Sequence, residues 1–279
     1  MYKATVKNTK GEALQLFPNN SYAVEIEGLT PPKASLNFAN VGTLDGSVYN
    51  SGRVENRNIV LSIKPLTDVE KNRINLYKFF RVKQPVSFYF ENGSRNVYIE
   101  GRVESVEGSL FEQSQTIQVS IICPNPMFKD IEEDITDISQ VVPTFTFPFA
   151  IAKEGVQFSY IDKVTEKNVF YNGEIEAGII IELTAVGAVT DPTLYKENGG
   201  SIGIDIDMQL GDVITINTNK GEKSVTLLRN ATETNIINLL RPNPTWFTLE
   251  PGDNVFLYTA TNQDLLQIVF KTCPLYEGV

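Results

Sequence analysis

The chain has 279 residues, enough for two folding units of ordinary size, and its 42% hydrophobic and 21% charged residues are the proportions of a globular protein. It carries 24 basic against 34 acidic residues, a net charge of −10, and no histidine. That balance disfavours phosphate-rich partners, whether nucleic acid or an anionic membrane surface, and the missing histidine excludes Ser-His-Asp and Cys-His catalysis together with the commonest metal ligand.

The start, MYKATVKNTKGEALQL, has no apolar stretch after its lysine, which predicts that no secretory signal is present. No run approaches the roughly 18 apolar residues of a membrane span. Short alternating runs dominate from there. YAVEIEGL places Tyr22, Val24 and Ile26 on one strand face, and RNIVLSIKPL alternates through Ile59, Leu61 and Ile63. TDVEKNRINLYKFFRVK, Thr67 to Lys83, breaks the rhythm. Thr67 and Glu70 form a capping-box pattern, and Val69, Arg73, Leu76, Tyr77 and Phe80 follow helical spacing, which predicts one amphipathic helix ended by Pro85. Val86, Phe88 and Phe90 then lead into Asn92-Gly93, and Val97, Ile99 and Val103 return, a hairpin pattern. TIQVSIICP supplies a further strand ending at Cys123-Pro124.

IEEDITDISQVVPTFTFPFAIAKEG brings an acidic run and Phe145, Phe147 and Phe149 at period two between prolines. This marks a boundary near Ile131 to Pro148, which divides the chain into residues 1–140 and 141–279. Beyond it the pattern is strands alone, from KNVFYNG to LLQIVFKTCPL, spaced as in a β-sandwich or jelly roll. The fold class is therefore mainly β. Two cysteines, Cys123 and Cys273, make neither a disulfide framework nor a CxxC metal spacing, so they read as buried or half-buried thiols. No metal or other cofactor is expected.

The order of motifs in the first half resembles the distal tail proteins of siphophages. IEGLTPPKASLNFANVGTLDGSVYNSGRVENRNIVLSI is followed by EKNRINLYKFFRVKQPVSFYFENGSRNVYIEGRVESVEG and then by QTIQVSIICPNPMFKD. In the second half, FYNGEIEAGIIIEL, INTNKGEKSVTLL and PTWFTLEPGDNVF are similar to that family's second domain. The resemblance implies a non-enzymatic virion protein of the tail. Its N-terminal β-sandwich or barrel, with one amphipathic helix, would form a hexameric ring of identical subunits. Its C-terminal domain would be a galectin-like β-sandwich, with the strand near Cys273 a candidate to return to the first domain. The ring would join the tail tube protein to a tail-tip, tail-fibre or receptor-binding protein, with neither sequence-specific nucleic-acid binding nor membrane insertion.

Three residues stand out as interaction candidates. Trp246 is the single tryptophan, and a galectin-like domain invites a sugar-stacking role, but core or edge packing explains an isolated aromatic better. Arg53 and Arg57 bracket a strand and are candidates for lining a subunit contact, or are solvated. Asp205, Asp207 and Asp212 suggest calcium, but alternation turns Ile202, Ile204 and Ile206 inward and leaves Asp205 and Asp207 on a solvated face. The acidic IEEDITD reads as a docking segment or an interdomain linker. Two other functions remain beside the ring. One is a carbohydrate-binding module for a host surface glycan. The other is a glycan-cleaving tip enzyme built on two carboxylates about 5–5.5 Å apart.

Overall fold

The computed structural model describes residues 2–40, 42, 45–109, 112, 115–137, 141–143, 159–161, 166–197 and 199–279, with 141–143 and 159–161 described by their backbone alone. The chain divides into two compact units, Met1–Ile131 with Leu275–Val279, and Glu132–Pro274. Every strand pairing among the described residues is antiparallel.

In the first unit β1 (Lys3–Asn8), β2 (Ala13–Phe17), β3 (Tyr22–Glu27), β4 (Ala34–Ala39), β5 (Val48–Val54) and β6 (Arg57–Pro65) precede α1 (Val69–Phe79). β7 (Pro85–Glu91), β8 (Asn96–Gly108), β9 (Ile117–Cys123) and β10 (Phe128–Asp130) follow. The main sheet runs β2-β1-β7-β8-β9-β6-β3, with β10 on β8 and Leu275–Tyr276 on β10. Its end strands β2 and β3 touch, so the sheet rolls toward a barrel. The inward faces are those the alternation predicts: Ile59, Leu61 and Ile63 on β6 face Val119 and Ile121 on β9, all buried.

The helix is shorter than its pattern and starts differently. It spans Val69–Phe79, and the residue before it, Asp68, is left-handed with φ 42 and makes no side-chain cap. The Thr67 hydroxyl is therefore not a cap. The Asn72 N–H makes the first helical bond to Asp68 O, its side-chain amide donates to Thr67 O and ties the entering chain to the first turn, and Glu70 pairs with Arg73. Leu76 and Phe80 are the buried apolar positions, and Val69 is exposed. The β7–β8 connection also differs from a two-residue Asn-Gly turn. Its last pair is Glu91–Asn96, and the Asn92 side-chain oxygen accepts from the N–H groups of Ser94 and Arg95, which closes a four-residue loop.

The second unit contains β11 (Asp134–Asp137), β12 (Val141–Pro143), β13 (Ser159–Ile161), β14 (Glu166–Tyr171), β15 (Ala177–Gly178), β16 (Ile180–Ala185), β17 (Val189–Lys196), β18 (Ser201–Gly203) and β19 (Asp207–Met208). It continues with β20 (Val213–Asn217), β21 (Ser224–Arg229), β22 (Thr232–Asn235), β23 (Thr248–Leu249), β24 (Gly252–Thr261) and β25 (Leu266–Thr272), after which β26 (Leu275–Tyr276) belongs to the first unit. One sheet runs β11-β25-β16-β20-β21-β22, the other β14-β24-β17-β18 with β19 on β17. They pack face to face through apolar side chains. Phe256 of β24 lies 4.8 Å from Phe270 of β25, ring centre to ring centre, and 5.5 Å from Phe247. The sequence pattern does not mark β17, because Asp191-Pro192 sits inside it; the strand accommodates the pair as a bulge, with Asp191 at φ 56. The period-two pattern of Phe145, Phe147 and Phe149 lies outside the described residues.

Leu76→Ala removes a fully buried side chain and should cost about 2–5 kcal/mol. Thr67→Ala, with no cap to lose, should stay within about 0.5 kcal/mol. Denaturant titrations of the two variants check both values.

Candidate functional site: an exposed hairpin with a buried arginine at its root

β4 and β5 stand apart from the rolled sheet. They pair only with each other among the described residues, and each of their residues except Ala39 is exposed. The register sorts most of their side chains by polarity, with Ala39 opposite Val48 an apolar pair on the otherwise polar face. Ala34 opposite Val54, Leu36 opposite Gly52 and Phe38 opposite Tyr49 form one face; Ser35 opposite Arg53 and Asn37 opposite Ser51 form the other. Phe38 and Tyr49 meet edge to face at 5.9 Å, and the Tyr49 hydroxyl and Leu36 lie over Gly52, where a Cβ would meet them at 2.7 and 2.9 Å. Leu36, Phe38 and Tyr49 are 54%, 52% and 57% exposed. A two-stranded hairpin is marginal in water by itself, and a contiguous exposed apolar face marks a contact surface. Arg53 sits on the polar face and is exposed.

Arg57 is the opposite case. It is 3% exposed, and its guanidinium donates at 2.5–2.6 Å to the carbonyls of Gly28, Thr30, Pro126 and Glu277. It also lies 4.5 Å above the Phe128 ring. Burial depresses its pKa from the ordinary arginine value. Three stretches of chain remote in sequence thus converge on one cation, which holds its own unit together. Gly28 has φ +88, and a Cβ there would lie 2.1 Å from Asn58 O, so the turn into the hairpin requires glycine. Beside Arg57, burial pushes the Cys123 thiol up to about 12.

In the second unit Trp246 is half-buried, with the Lys223 ammonium 5.3 Å from its ring centre, while its neighbour Phe247 enters the core. The three aspartates go to separate partners. Asp205 pairs with Arg241 at 2.6 Å, Asp207 accepts from the Thr190 hydroxyl, and buried Asp212 takes a forked contact from Arg229 and the N–H of Gln209. Ile202 and Ile204 are buried and Ile206 half-buried. No group of three or more His, Cys, Asp or Glu able to hold a metal occurs among the described residues, and no helix there is long and apolar enough to cross a membrane. The hairpin's apolar face was the feature sequence reading passed over. Its signal was present in ASLNFA and VYNSGRV, which flank the Asp45-Gly46 turn.

Residues 172–272 match the family model of the siphovirus-type tail component, C-terminal domain. Among solved structures, the chain is similar to the Dit protein of phage SPP1, described as a paradigm of the hub adsorption apparatus in phages infecting Gram-positive bacteria. The identity is 15%, with 97% of this chain and 98% of that chain covered and a TM-score of 0.70. It is also similar to a chain of the phage P2 baseplate in its activated conformation with Ca, at 10% identity, full coverage of both chains and a TM-score of 0.54. A search of curated proteins finds no match. Residues 172–272 of the second unit are thus similar to that C-terminal domain, and the whole chain shares the fold of Dit.

The Arg229 hydrogen bonds hold the Asp212 carboxyl below the ordinary carboxylate range. Its stabilisation is complete above the unfolded value of about 4 and is lost as pH falls through the lower folded value. Asp212→Asn should cost about 1–3 kcal/mol at pH 7, with the gap to wild type closing below about pH 4. Urea titrations at pH 7 and pH 3 measure it. A thiol reagent at pH 8 should leave Cys123 unlabelled until denaturant is added, as read by peptide mass mapping.

Proposed function

We propose that this chain is a structural subunit of a long-tailed phage or prophage, forming a closed ring of six that joins the tail tube to the tail tip or baseplate. The observation that carries the assembly is the β4–β5 hairpin, whose apolar face is uncovered within its own unit. A neighbouring copy covering that face removes Leu36, Phe38, Tyr49 and Val54 from water and leaves Ser35, Asn37, Ser51 and Arg53 solvated. The family-model match and the Dit-like fold support a place in the tail. The resemblance supports the tube and a tip or receptor-binding protein as neighbours along the axis.

A head-to-tail contact closes into a ring when its rotation divides the circle, and otherwise builds filaments. Each contact needs at least about 1,000 Å² of buried surface to persist in dilute solution. The net charge of −10 fits a ring that repels DNA rather than gripping it. Catalysis has no part in this reading.

Light scattering of the full chain, alone and with its tail-tip neighbour, should give the mass of six subunits. Leu36→Asp and Phe38→Asp lie on exposed positions, so they should leave the melting temperature of the single chain unchanged while abolishing the ring. A chain that is monomeric at all concentrations with and without that neighbour, or rings that survive both substitutions, would overturn the reading.

A further inference from the structure

The hairpin joins its unit through two legs, and both lead to residues 277–279. The first leg is the stretch 28–33, which belongs to no strand. Its Gly28 and Thr30 carbonyls accept from Arg57, its Leu29 carbonyl accepts from the Val279 N–H at 3.2 Å, and its Pro31 packs on Gly278. The second leg runs from β5 to Arg57 at the start of β6, and the Glu55 N–H bonds to Lys33 O at 2.9 Å to close the base of the hairpin. Arg57 in turn donates to Glu277 O, and Arg95, stacked 4.6 Å over the Tyr276 ring, donates to Gly278 O.

The tail therefore has two parts with different duties. Leu275 and Tyr276 pair with β10 and close the core. Of residues 277–279, the Glu277 carbonyl goes instead to Arg57, the Val279 N–H to the hinge at Leu29, and the Gly278 carbonyl to Arg95. Removing the Glu277 carbonyl leaves a buried N–H of Arg57 without an acceptor, which is costly and drives a local rearrangement. Arg57 itself is fixed in the β6–β9 ladder opposite Cys123, so the segment free to respond is the strandless leg 28–33.

We propose that residues 277–279, gripped by Arg57 and Arg95, set the position of the β4–β5 hairpin, so that self-assembly requires a docked tail. Arg57 is then a positioning residue for the assembly surface and makes no contact across it. The inference rests on the ring reading above and adds its control.

The test uses the full chain, a chain ending at Tyr276, and Arg57→Lys, which keeps the charge but loses the fork of donors. Hydrogen exchange is followed at the Glu55 N–H, which bonds to Lys33 O at the hinge, with β6 and β9 as internal reference, and ring formation by light scattering across concentration. Both variants should exchange at least tenfold faster at the hinge with β6 and β9 unchanged, and should need at least tenfold more protein to form rings. Unchanged hinge exchange, faster exchange spread evenly over β6 and β9 in the shortened chain, or normal ring formation from a loosened hinge each overturns the inference. If Arg57→Lys unfolds outright, the shortened chain decides by the same criteria. A wild-type chain that never forms rings overturns the ring reading itself, whereas normal rings with an unchanged hinge in both variants overturn this inference alone.

Discussion

One buried cation organises the first unit. Arg57 has no carboxylate within hydrogen-bonding reach among its contacts; its charge is spread over four carbonyl dipoles and an aromatic face. Each acceptor lies outside the strands: the turn at Gly28 and Thr30 after β3, the bend at Pro126 between β9 and β10, and Glu277 after β26. A desolvated guanidinium is tolerable only when its donors are satisfied, so these segments must arrive together. Lysine cannot replace it, because a compact ammonium does not span acceptors lying on several sides. The hairpin, the tail and the end of β9 are thereby made parts of one arrangement.

The second unit relies on a different economy. Its two sheets meet through aromatic and branched side chains, with Phe247, Phe256 and Phe270 in mutual contact. Two of its buried polar groups hold turns. Asn254 holds the Pro251-Gly252-Asp253 turn through Glu250 and Gly252, and Asp212 holds the turn after Gln209 through Arg229. Such a sandwich needs no long-range polar staple of the kind the first unit uses. A buried Asp–Arg pair in a turn fixes local geometry and contributes little to sheet order.

The alternation of Ile59, Leu61 and Ile63, of Phe88 and Phe90, and of Ile202 and Ile204 could be read from the sequence, because burial on one face of a strand writes itself at period two. The helix could be read through Leu76 and Phe80, but its start could not. Thr67-x-x-Glu70 satisfies the capping pattern, whereas the backbone at Asp68 turns left-handed and the Asn72 side chain ties the first turn back to Thr67 O instead. In the sequence Arg57 is a charge bracketing a strand, a candidate for a subunit contact or for solvent, and nothing local marks it as buried. Its role depends on Gly28 and Glu277, and no local pattern links positions that far apart. Trp246 drew notice by its residue type, yet Phe247 is the one that packs in the core. The hairpin face was legible in principle, since Leu36, Phe38, Tyr49 and Val54 alternate with polar residues; without the structure they look like another buried pair of strands.

The placement of β26 has a consequence in time. Residues 132–274 separate β10 from the strand that pairs with it. At bacterial translation rates of about 5–20 residues per second, the ribosome needs on the order of ten to thirty seconds to cross that stretch. Throughout that interval the nascent first unit lacks Tyr276 over its core and the Glu277 carbonyl on Arg57. The β4–β5 hairpin, by contrast, is complete once residue 54 is made. The first unit therefore reaches its final form only after the whole of the second has been synthesised, so the order in which the two units finish is the reverse of the order in which they begin.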